Sequence, residues 1–151
     1  MIVTAALQKY ADRGVFRGFS ANPVRGGRYE YTFRWLAPRA LTLSYDPARR
    51  VLAFSSLFPR LAGRSAIVKD LRALVGGRST RRVPAHKRLD ARKARARCAV
   101  RGGSFALSMT IIGPNDAYAV SQLLNLVNDL FLVLHETYPD YLVDEFGLSA
   151  E

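Results

Sequence analysis

The chain has 151 residues, 49% apolar and 23% charged, a balance that excludes an intrinsically disordered protein and suits a single domain over 1–151. Its net charge of +11 is unevenly placed: residues 1–101 hold all 23 Lys and Arg against five acids, whereas residues 102–151 hold seven acids and neither Lys nor Arg. Opposite ends of that kind attract one another, within a molecule or between two, and the surplus cations suit a polyanion: RNA, DNA, an anionic membrane face or an acidic protein segment.

Val3, Leu7 and Tyr10 share one stripe and predict a first helix over 2–13, stopping before Gly14. Residues 18–27, with Pro23 and the Gly26-Gly27 pair, read as a loop. Tyr29, Tyr31, Phe33 and Trp35 then alternate with Glu30, Thr32 and Arg34, the period of two that marks a half-buried strand. Ala37-Pro38-Arg39 turns the chain into a second strand, Leu41 to Tyr45. Asp46-Pro47-Ala48-Arg49 turns it again into a third, Arg50 to Phe58. Pairing Tyr45 with Arg50 sets Leu43 against Leu52 and Leu41 against Phe54, which makes one face of a three-stranded meander apolar.

Ser65 is placed to cap a helix over 66–75, which Gly76-Gly77 ends. Residues 78–92 follow as a basic, exposed connection. A two-residue turn at Gly102-Gly103 then pairs Arg101 with Ser104 and Val100 with Phe105, and onward to Cys98 with Leu107, Ala96 with Met109 and Ala94 with Ile111. In that register Lys93, Arg95, Arg97, Ala99 and Arg101 fall on the opposite face, across from Ile112, Thr110, Ser108, Ala106 and Ser104. Gly113-Pro114 breaks the strand, and Asn115 or Asp116 starts a long helix to about His135. Its apolar surface, Val120 to Leu134, is wide enough to cover a sheet and to meet a second subunit as well. Asn125, Asn128 and Asp129 interrupt it as a polar edge or as interface hydrogen-bonders. Pro139 opens a short last helix that Gly147 ends.

Catalytic patterns are weak. His86 and Asp90 are spaced to orient an imidazole on a helix but lie in a basic, Pro-containing segment, where a local salt bridge is the simpler role. His135 suits the helix C-terminus. Cys98 falls on the apolar face of its strand as a core thiol, and as the single cysteine it excludes an internal disulfide and a cysteine-based zinc site. The two histidines stand 49 residues apart, which gives no metal-ligand spacing, and the Gly pairs fit turns rather than a phosphate loop. Asp140, Asp144 and Glu145 read as a solvated helix face. No cofactor is implied.

The basic stripe is the stronger feature: Arg78 to Arg101 contains ten Lys or Arg, and guanidinium groups suit phosphates or carboxylates. Arginine outnumbers lysine 19 to four, a drift that GC-rich coding alone produces, so the placement of the charge carries more information than its amount. Base stacking requires exposed aromatics, and the outer hairpin face offers Ser, Thr and Ala instead, which favours phosphate-backbone contacts over sequence-selective reading. The apolar run at the N-terminus is too short for a signal peptide, and the stretch Leu123 to Leu134, interrupted by polar residues, falls short of a membrane span; the expected setting is a cytoplasm, without membrane insertion.

The expected fold is α+β: an antiparallel sheet of about five strands in αβββαββα order with helices packed on one face. That order resembles the type III secretion chaperone-like fold, which is shared with bacterial sensory-transduction regulators. The resemblance spans nearly the whole chain, rests on topology alone and implies a homodimer that binds extended segments of client proteins without catalysis. Such chaperones are usually acidic, and this chain is basic. The resulting expectation is a non-enzymatic, homodimeric module that holds an acidic or extended protein segment through Arg81, Arg82, Lys87, Arg88, Arg95, Arg97 and Arg101. The alternative is a nucleic-acid-binding protein using the same residues on phosphates; an enzyme acting through His86 and Asp90 comes third.

Overall fold

A computed structural model describes residues 1–148. Ten elements follow in chain order: α1 (Ile2–Asp12), β1 (Arg17–Val24), β2 (Arg28–Arg34), β3 (Ala40–Asp46), β4 (Val51–Phe58), α2 (Ala66–Gly77), β5 (Ala94–Arg101), β6 (Ser104–Ile111), α3 (Asp116–Thr137) and α4 (Pro139–Phe146). The strands form one antiparallel sheet in the order β1-β2-β3-β4-β6-β5. The class is therefore α+β, with six strands rather than about five.

The additional strand is β1, where the sequence predicts a loop. It is an edge strand with nearly every side chain exposed, so it carries no apolar alternation, and Pro23 is tolerated because it sits at the sheet margin. Only Phe19 leans inward, onto Phe16, Tyr31 and Phe33. A bulge between Arg17 and Ser20, with Gly18 at φ +63°, re-aims the strand.

The β3–β4 register is displaced by two residues from expectation. Tyr45 faces Leu52, and Asp46 faces Val51. Asp46 Oδ1 accepts the backbone N–H groups of Ala48 and Arg49, and Arg50 closes the turn at φ +59°, which moves the turn one residue along on each side. An even displacement preserves side-chain parity, so Leu41, Leu43, Tyr45, Leu52 and Phe54 all remain inside. The β5–β6 pairing is the expected one throughout, from Arg101 opposite Ser104 to Ala94 opposite Ile111. Gly102 and Gly103 both have positive φ, as a tight hairpin of this hand requires. Gly103→Ala should therefore cost about 1–2 kcal/mol in a urea melt. The cost is conformational, because an added Cβ would meet only the Leu61 carbonyl at an ordinary 3.9 Å.

The helices lie on one face of the sheet. The Ser65 hydroxyl accepts from Val68 N and starts α2 as expected, while Gly147, at φ +65°, ends α4. The apolar face of α3 is occupied inside the molecule: it packs on β6 and is flanked by α1, α2 and α4. Leu123, Leu126, Val127, Leu130 and Leu134 are fully buried there. By length and composition alone α3 could cross a membrane, but half of its apolar window is buried in this core. Leu132, on its outer side, remains exposed. Phe58 joins the layers, with ring centroids 5.2 Å from Phe131 and 5.8 Å from Phe105.

Candidate anion-binding sheet face and edge

The opposite sheet face carries no helix among the described residues. Directly opposed residues of an antiparallel sheet share a face, so one row crosses it as Asn22, Glu30, Ser44, Ala53, Ser108 and Arg97. A parallel row runs from Val51 through Thr110 to Arg95. Apart from Glu30, the floor is made of small side chains, and arginines stand on β2 and on the outer strand β5. All sheet aromatics point the other way, into the core or against it.

β5 is the outer strand of the sheet, with no strand among the described residues paired along its free edge. Arg95, Arg97 and Arg101 are all exposed on its open face. Among the described residues none of the three pairs with a carboxylate; the Arg95 Nε reaches only the Ala91 carbonyl, at 3.4 Å. Several acids of the C-terminal third are already engaged elsewhere: Asp116 with Arg50 at 2.7 Å, Asp129 with Arg78 at 2.6 Å and Glu145 with Arg60 at 3.8 Å. The internal charge attraction expected from the sequence exists, but it bypasses β5.

The other expected site residues separate from this trio. Arg81 and Arg82 are exposed on a turn of the 78–93 connection, outside the sheet. Lys87, also exposed, stands 4.0 Å from Asp129. Arg88 staples its own loop: Nε donates to the Thr80 and Val83 carbonyls and Nη2 to Val83. It holds the connection in shape and has few donors left for a ligand. Arg78, expected to be exposed, is buried.

His86 and Asp90 do not meet. Both Asp90 carboxylate oxygens take Arg92, whose side-chain and backbone hydrogen bonds hold the acid below the usual carboxylate range. His86 is exposed. Among the described residues no three or more His, Cys, Asp or Glu side chains gather as metal ligands would. Cys98 is half-buried on the inner face of β5, and burial raises its thiol pKa against a smaller opposing effect of Arg72. A raised pKa leaves less thiolate at neutral pH, so Cys98 should react with Ellman's reagent about tenfold or more slowly than free cysteine.

No protein-family model matches the chain, and neither a curated protein nor a solved structure matches it. The arrangement itself provides a flat, polar floor, an unpaired strand edge and three guanidinium groups on alternating or near-alternating positions beside that edge.

Proposed function

We propose that this protein is a non-enzymatic binding module that takes an acidic, extended protein segment along β5. The observation that carries the reading is the coincidence on one strand of a free edge with Arg95, Arg97 and Arg101, none of them paired to a carboxylate among the described residues. An added strand gains main-chain hydrogen bonds from the edge. Its alternate side chains then lie beside those arginines, so carboxylates at every second position are the matching pattern.

The type III secretion chaperone-like resemblance supports the same class of function, and with it a cytoplasmic homodimer. Light scattering at twice the chain mass would support the dimer, and a mass equal to one chain would remove it.

The open face lacks aromatics for stacking on bases, which favours a protein segment over a single-stranded nucleic acid. A decapeptide alternating Glu and Thr should bind saturably, and a single-stranded oligonucleotide of equal charge should compete poorly. Tighter binding of the oligonucleotide, with a steep salt dependence, would transfer the site to nucleic acid.

A further inference from the structure

On the helix side of the sheet, a cleft of about 410 Å³ opens between α1, the 78–93 connection and α3. Trp35 and Tyr10 line it together with Arg78, Lys87, Asn128 and Asp129. Arg78 is only 6% exposed, at the C-terminal end of α2. Its Nη1 donates to Asp129 Oδ2 at 2.6 Å, and its Nε is buried with no acceptor among the described residues. Lys87 Nζ stands 4.0 Å from the same carboxylate oxygen. Two cations therefore share one acid. The side-chain amide of Asn128, half-buried on the wall, makes no hydrogen bond among the described residues.

A nearly buried guanidinium that uses one donor on a protein acceptor and leaves another orphaned is a rare arrangement in a finished structure. Asp129 neutralises Arg78, so the surplus positive charge of the cluster sits on the exposed Lys87 at the cleft mouth, within reach of an entering anion. An anion there pairs with Lys87 and adds a second acceptor beside the Arg78 side chain that lines the cleft. We propose that this cleft binds a small anion, a carboxylate or phosphate ester on an aromatic ring, with its charged group at Lys87 and Arg78 and its ring against Trp35 and Tyr10. Asn128 supplies the neutral hydrogen-bonding group that orients it. The inference is independent of the sheet face, which lies on the other side of the molecule.

Trp35 is the chain's single tryptophan, so its fluorescence reports this cleft directly. Benzoate and phenyl phosphate are titrated separately at ionic strength held constant with sodium chloride. A saturable change of Trp35 emission is expected with at least one of them, and the preferred probe tells carboxylate from phosphate. Lys87→Gln, at an exposed side chain, should raise the dissociation constant about fivefold, and Asn128→Leu should raise it too, while Arg95→Ser leaves it unchanged. A response that stays linear to about 50 mM, weaker than any millimolar site, would overturn the proposal. So would a saturable response that Lys87→Gln and Asn128→Leu leave intact, or one that Arg95→Ser abolishes.

Discussion

Asp129→Ala is expected to lower folding stability by about 3–5 kcal/mol. The reason is what it leaves behind: Arg78, whose side chain is 7% exposed, loses its one carboxylate at 2.6 Å and remains as an uncompensated buried cation. Lys87 makes the loss worse, since it would then face Arg78 with no acid between them. The double variant Arg78→Met with Asp129→Leu should recover most of the deficit, because it removes the charge together with its partner and refills the space with apolar groups. Guanidinium unfolding of the three proteins measures both effects. A loss below about 1 kcal/mol for Asp129→Ala would mean that water reaches Arg78 freely, which contradicts its burial. A double variant no more stable than the single one would show that the pair also holds the connection to α3 by geometry that leucine and methionine do not replace.

The second large effect concerns β5. Changing Arg95, Arg97 and Arg101 together to serine should weaken binding of the Glu-Thr peptide about 30-fold, from roughly 0.7 kcal/mol at each solvated charge pair. Stability should change by no more than about 0.5 kcal/mol, because these side chains meet solvent and hold no ion pair within the described residues. Charged residues on a free strand also deter edge-to-edge association. If that is their whole role, the triple variant aggregates while its peptide affinity is unaltered. Fluorescence polarisation beside light scattering separates the two results.

The hairpin that carries this site was legible because its information is local. Two glycines fix the turn, and the residues on either side alternate between Arg or Ser and apolar partners, so a wrong register would bury arginines. β1 was illegible for the converse reason: an edge strand with one inward side chain, Phe19, leaves no period to read. The β3–β4 register slipped because the Asp46 side chain and the left-handed Arg50 choose the turn, and alternation is blind to a displacement of two. Arg78 looked like any other arginine of a basic run. Its burial depends on Asp129, 51 residues later, and that acid was the available signal: a carboxylate interrupting a buried helix stripe requires a cation. The wide apolar face of α3, read as having room for a second subunit, is consumed by α1, α2 and α4, which no periodicity within α3 could reveal.

The whole functional reading depends on the outer rim of β5 accepting a further strand. Amide hydrogen exchange, followed by residue with and without saturating Glu-Thr peptide, tests it most directly. Slowed exchange concentrated in Arg95 to Arg101, with α3 unaffected, is the predicted result. Peptide bound without any slowing in β5, or with protection only among the helices, would contradict it.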